Sequence, residues 1–190
     1  MTQREMSTPA PNEAARSGLA GILFKDDVPV YAVLGGASVP GLVKKLYEFE
    51  PDYCCLYRGE LQPDTAAVAP YLVQLEAGSE FTEWILSEGW GVHWGIFIQS
   101  SANLRKLRNH FREFIKVELP DRRTVLFRYY DPRVFRSFLP ACNAAELGKF
   151  FGPVQSFVVE SESPEAAIKY SFAGNALKPE PLPVKKATPK

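Results

Sequence analysis

Val30-Tyr31-Ala32-Val33-Leu34-Gly35-Gly36-Ala37-Ser38-Val39-Pro40-Gly41-Leu42-Val43-Lys44-Lys45-Leu46-Tyr47-Glu48-Phe49 is the stretch that decides the fold. Its first five residues form a compact apolar run closed by two glycines, the signature of a buried strand. Ser38 and Pro40 then supply helix-opening chemistry, and a helix over 41–49 follows until Pro51-Asp52 breaks it. The same switch from strand period to helix period recurs along the chain. Strands are expected at 53–57, 69–75, 94–99, 124–130 and 155–160. A helix over 80–88 carries Phe81, Trp84, Ile85 and Leu86, and ends at Gly89 and Gly91. The longest helix is expected over 104–116, after Ser100-Ser101-Ala102-Asn103. There Leu104, Leu107, Phe111, Phe114 and Ile115 form one apolar stripe, opposite Arg105, Lys106, Arg108, Arg112 and Lys116. Two short helices follow, at 132–139 and at 144–151 behind Asn143 as cap. The alternation implies an α/β (α+β) protein with a mixed β-sheet covered by helices and a small C-terminal helical lobe.

The bulk properties narrow the class. The chain has 190 residues, 46% of them hydrophobic and 13% aromatic, enough for one core without disulfide or metal staples. Twenty-two basic residues balance twenty-two acidic ones, so no global attraction to nucleic acid or to an anionic membrane is expected. The start of the chain lacks the apolar core of a signal peptide, and no apolar run reaches membrane-spanning length. The cysteines, Cys54, Cys55 and Cys142, are odd in number and lack CxxC spacing, which fits a reducing, cytoplasmic location. Residues 1–18 and 173–190 are rich in proline and charge and read as disordered tails flanking a domain at 19–172.

Templates for chemistry fail in turn. The Gly35–Gly41 turn lacks both the GxGxxG spacing and the GK[ST] ending of phosphate loops, and Pro40 stands where a nucleophile elbow needs glycine. His93 and His110 are the two histidines, and nothing local orients either one toward a cysteine nucleophile. Cys54 and Cys55 are strand neighbours that point to opposite faces, so at least one fills a core. Glu83 and Glu88 read as solvated helix positions. No catalytic, cofactor-binding or metal-ligating set emerges.

Two segments point instead to protein binding. All three tryptophans, Trp84, Trp90 and Trp94, fall within eleven positions; such residues are core fillers or interface anchors. In Phe127-Arg128-Tyr129-Tyr130-Asp131-Pro132-Arg133, Asp131 before Pro132 fits a helix cap, while the arginines can pair with it or offer a fork to a partner's carboxylate. The candidate anchors are Trp90, Arg128 and Arg133, with Arg105 and Arg112 on the basic helix face.

Taken together, Tyr31-Ala32-Val33-Leu34, Ala69-Pro70-Tyr71-Leu72-Val73, Gly89-Trp90-Gly91, Trp94-Gly95-Ile96-Phe97, the 127–133 segment, Phe138-Leu139-Pro140 and Phe150-Phe151-Gly152-Pro153 resemble a bacterial family, the adaptor-chaperones of type VI secretion. The similarity runs from about residue 30 to residue 160. It implies a cytoplasmic, non-enzymatic protein without cofactor that binds a secreted effector and helps load it onto the spike protein of the apparatus. It carries over no catalytic residue, and it does not extend to the ends of the chain. A small hydrolase or transferase built around His93 with Glu88 or Asp131 is the rival reading, and a nucleic-acid-associated regulator is the third.

Overall fold

The computed structural model describes residues 11–119 and 121–184, with side chains from residue 16 onward. The elements run α1 (Pro11–Leu23), β1 (Val30–Gly35), α2 (Leu42–Phe49), β2 (Tyr53–Cys55), α3 (Pro63–Val68), β3 (Pro70–Leu75), α4 (Glu80–Glu88), β4 (Gly95–Gln99), α5 (Leu104–Arg112), β5 (Lys116–Glu118), β6 (Thr124–Leu126), α6 (Pro132–Phe138), a 3-10 turn (Leu139–Ala141), α7 (Ala144–Phe151), β7 (Ser156–Glu160), β8 (Ala166–Ala173) and β9 (Ala176–Pro183). The class is α+β. Seven strands form one sheet in the order β2-β3-β1-β4-β7-β8-β9, and β5 and β6 form a separate hairpin. Every ladder of the large sheet is antiparallel, so strand direction is not mixed as the sequence suggested. α2 and α4 each connect strands that run the same way with one antiparallel strand between them, an order that apolar periodicity cannot report.

The central strands β1, β4 and β7 are buried along their whole length, because helices cover both faces of the sheet. On one face Tyr31, Val33, Leu72, Ile98, Phe157 and Val159 pack against Leu107 and Phe111 of α5, Phe135 of α6 and Phe150 of α7. On the other, Val30, Ala32, Leu34, Val73 and Val158 pack against Leu19 and Leu23 of α1, Leu42 and Leu46 of α2, and Phe81 of α4. Period-two alternation sends neighbours to opposite layers: Cys54 joins the first core and Cys55 the second. The expected small C-terminal helical lobe is α6 and α7, which complete the first of these cores.

Helix ends follow local chemistry. Asn143 and Glu146 form a reciprocal capping box on α7, and Ser79 and Asn103 cap α4 and α5. The expected helix 104–116 stops at Arg112, where the chain turns toward β5. Phe114 and Ile115 nevertheless stay on the core, which is why their spacing looked helical.

The expected tails need correction on both sides. Residues 1–10 and 185–190 lie outside the described residues; the remainder is helix and strand. Leu19 and Leu23 of α1 are fully buried. At the other end β8 and β9 make a hairpin through Gly174 and Asn175, both near φ 59°, the two-residue geometry that suits a right-twisted ladder. Pro179, Pro181 and Pro183 sit at a spacing of two. A bonded pair needs an N–H, so the bonds to β8 run through Lys178, Glu180 and Leu182, and the proline nitrogens face away from the sheet. Counting prolines suggested disorder, whereas their period makes a finished edge strand.

Val184 closes this edge. It is fully buried in the second core, its N–H donates to the Glu165 carbonyl at 2.9 Å, and a Cβ on Gly18 of α1 would fall on the Val184 carbonyl. Gly18→Ala therefore sets helix propensity against packing. Alanine favours a helix interior by about 1 kcal/mol, while overpacking costs typically ~1–3 kcal/mol. Denaturant unfolding should show the variant destabilised; a stabilised variant would mean that α1 and the end of β9 do not touch.

Candidate protein-binding surface

The five arginine and tryptophan candidates fall into separate places. Trp90 and Arg133 flank one corner, where the loop after α4 meets the end of β7. Glu160 is buried there at 3% exposure. Its Oε1 accepts from the N–H groups of Gly91 at 2.9 Å and His93 at 3.3 Å, and its Oε2 lies 2.7 Å from His93 Nδ1. Arg136 donates to the Glu160 carbonyl at 2.7 Å. Positive φ at Gly91 (85°) and His93 (62°) curls the loop so that two N–H groups converge on one carboxylate oxygen. Trp90 stacks on Phe97, with ring centroids 6.3 Å apart, and its Nε1–H donates to the Pro164 carbonyl at 2.7 Å. Trp84 and Trp94 pack together at 5.0 Å. All three tryptophans thus serve the core.

Asp131 caps α6, accepting the Arg133 N–H at 2.9 Å ahead of Pro132. The Arg133 guanidinium closes back on the same carboxylate, Nε at 3.0 Å and Nη2 at 2.7 Å. Burial alone would raise the Asp131 pKa; the hydrogen bonds and charge of Arg133, aided by His93, outweigh it and hold the carboxyl below its usual range. The fork that the sequence offered to a partner is occupied within the chain.

Arg112 and Arg128 belong to a second region, around the β5–β6 hairpin. The hairpin stands on an aromatic base in which Tyr129 is fully buried, its O–H donating to the Phe111 carbonyl at 3.3 Å. On one side of the hairpin lies a groove of about 390 Å³ lined by Phe114, Val117, Phe127, Phe138, Cys142 and Phe150, with Glu146 and Lys149 at its rim. Its rings meet edge to face, Phe127 on Phe138 at 4.7 Å and Phe114 on Phe150 at 4.9 Å. On the other side a groove of about 530 Å³ is framed by Leu61, Leu126, Arg58, Arg112 and Lys116. Arg112 anchors this side: its Nη2 donates to the carbonyls of Cys55 at 2.9 Å and Tyr57 at 2.8 Å. Arg128 is exposed and acts electrostatically on Tyr57. Arg105 is exposed on α5 and lines neither groove.

The sequence reading missed both grooves, because β5 was not expected and the aromatic residues of 127–150 read as core alone. Leu126, 51% exposed, and Val117 alternate along the hairpin and were the available signal. Among the described residues no cluster of three or more His, Cys, Asp or Glu side chains could hold a metal ion, and no helix is long and apolar enough to cross a membrane. Cys54 is pushed up to about 11 by burial, despite the nearby charges of Arg108 and Arg112, and so stays a protonated thiol at neutral pH.

The model of the family described as Domain of unknown function (DUF4123) matches residues 30–149. That is more than half of the chain, which therefore belongs to this family. The match spans the hairpin, the groove around Arg112, Asp131 and Arg133, and all of the aromatic groove except Phe150. No curated protein and no solved structure matches the chain.

The Asp131 corner makes a ranked prediction. Asp131→Ala removes a helix cap and should cost about 0.5–2 kcal/mol, whereas Arg133→Ala removes a solvent-screened pair and should cost less. Because the folded-state pKa of Asp131 is lowered, its contribution is complete above the ordinary carboxylate pKa and disappears as pH falls through the folded value. The gap between wild type and Asp131→Asn in chemical denaturation should accordingly close in acid. A reversed ranking would make Arg133 the structural member.

Proposed function

We propose that this chain is a non-enzymatic adaptor-chaperone that binds a type VI secretion effector and helps load it onto the spike protein. The observation that carries the reading is the solvent-open aromatic groove of Phe114, Val117, Phe127 and Phe138 beside the protruding β5–β6 hairpin. An apolar floor with single charges at its rim is what the buried core of a protein interface requires. All of the groove but Phe150 lies inside the family segment, and Phe127 and Phe138, from two of the stretches that carry the resemblance, stand on its walls. The expected partners are the effector and the spike protein; the location that goes with them is the cytoplasm.

One observation favours an enzyme instead, the 2.7 Å contact between His93 and Glu160. A histidine oriented by a carboxylate is a familiar base arrangement. Here, however, the other carboxylate oxygen is held by two loop N–H groups and the strand's carbonyl by Arg136. The pair thus has a complete structural use in bracing the loop against β7.

The test is co-purification and titration calorimetry against the effector and spike proteins encoded next to this chain. A stoichiometric complex is expected, weakened about thirtyfold or more by Phe127→Ala or Val117→Glu, which corresponds to about 2 kcal/mol, with the melting temperature of Val117→Glu near that of wild type. Failure of the intact protein to bind either partner, together with turnover of a small molecule that His93→Ala abolishes, would replace the adaptor with the enzyme.

A further inference from the structure

The second groove carries a charge pattern that the aromatic one lacks. Arg58, Arg112 and Lys116 line it, Glu113 is the acidic residue among its walls, and Arg128 stands beside Tyr57 at its margin. Among the described residues, none of these four cations forms an ion pair. Elsewhere Arg16 pairs with Glu83, Lys45 with Glu48, Arg123 with Asp121, Arg133 with Asp131 and Lys169 with Asp26. Other cations such as Lys44 and Arg105 are also without an ion pair among the described residues, and what marks this region is that its cations gather around one groove. Arg112 is moreover fixed in place. Its Nη2 is held by two main-chain carbonyls, and its Nε is buried without a hydrogen-bond partner. The ordering of this cation has been done by the fold, so a carboxylate arriving there meets a preorganised charge.

Apolar groups share the groove. Leu61 is half-buried and Leu126 is 51% exposed, and both line a space of about 530 Å³. Like charges gathered around exposed leucines repel one another and attract the opposite sign. We infer that this groove receives an extended segment of the partner protein in which acidic and apolar side chains alternate, the carboxylates facing Arg58, Arg112 and Lys116 and the apolar groups facing Leu61 and Leu126. The inference rests on the adaptor reading and names the chemistry of its partner. The chain's own ends do not match this chemistry: residues 185–190 carry Lys185, Lys186 and Lys190, and residues 1–10 carry one arginine and one glutamate.

The experiment uses the full chain and three labelled peptides read by fluorescence anisotropy, one alternating leucine with aspartate, one leucine with asparagine and one leucine with lysine. The aspartate peptide should bind, should weaken as salt is raised, and should lose about tenfold or more in affinity in Arg58→Glu and in Lys116→Glu. Neither side chain makes a hydrogen bond or ion pair among the described residues, so both variants should melt as wild type does. Leu126→Ser should weaken binding without changing its salt dependence. Equal binding of the asparagine peptide, or no effect of the charge reversals, overturns the inference. Tighter binding of a single-stranded oligonucleotide than of the aspartate peptide overturns it in favour of a polyanion site. Peptide binding that emerges only after residues 1–10 are deleted assigns the groove to the chain's own start instead. An effector complex unaffected by Arg58→Glu and Lys116→Glu leaves the adaptor standing and sinks the acidic-segment inference; peptide binding without any effector or spike complex does the reverse.

Discussion

Covering both faces of one antiparallel sheet is the constraint on which the rest of this molecule depends. A strand buried on both faces must be apolar or have its polar groups paired. β1 is apolar throughout, whereas β4 and β7 keep the buried polar residues Gln99, Ser156 and Glu160 at their ends, each hydrogen-bonded. The helices must then divide between two layers. Such a sheet still has two edges, where unpaired N–H and C=O groups invite association. They are finished differently. On β9 alternate prolines remove the outward donors. On the β2 side the chain supplies a cation, since Arg112 takes up the outward carbonyls of Cys55 and Tyr57.

That second solution has a consequence for the surface. Holding Arg112 against main-chain carbonyls uses its donors without neutralising its charge. The carbonyls are dipoles, and no carboxylate of the described residues pairs with it. The fold thereby leaves a fixed positive charge between α5 and the hairpin, beside Arg58 and Lys116. The basic face of α5 is consequently not one uniform solvated stripe. Arg112 is structural and half-buried, His110 is tied by Nε2 to the Phe150 carbonyl at 2.8 Å, and Arg105 faces solvent. Burial outweighs that hydrogen bond and lowers the His110 pKa, so the imidazole adds no charge to the face at neutral pH.

Much of this architecture was legible in the sequence where short-range chemistry decides it. The strand at 30–34, the helix at 80–88 and the cap at Asn143 follow from period, breaker and cap residues within a few positions. The α+β class followed from their alternation. What stayed hidden depends on partners distant in the chain. Prolines 179, 181 and 183 gain meaning only once β8 lies beside them, and Leu19 and Leu23 only once α4 offers a surface. The candidate anchors show the same limit. Trp90 and Arg133 were expected as anchors for a partner, and the structure gives both of them contacts inside the chain, with Pro164 and Asp131. Sequence composition identifies the adhesive residues and cannot say which have been used up by folding.

The corner around Glu160 shows what that internal use achieves. Withdrawing a carboxylate from water costs several kcal/mol unless its lone pairs are satisfied. Here two loop N–H groups and an imidazole meet the two oxygens. Removing any one partner would leave part of a buried charge unmatched, so the loop after α4 has a single acceptable position against β7. The helix cap at Asp131 and the Arg136 contact to the Glu160 carbonyl then fix α6 to the same strand end. With α6 placed, Phe138 is placed, and with it one wall of the aromatic groove. The Gly-Trp-Gly-Val-His-Trp block is therefore scaffolding at a distance for the hairpin surface. It sets the shape of a groove none of its own side chains line, whereas Arg58, Lys116, Leu126 and Arg128, the exposed residues around the hairpin, are left open to solvent by folding.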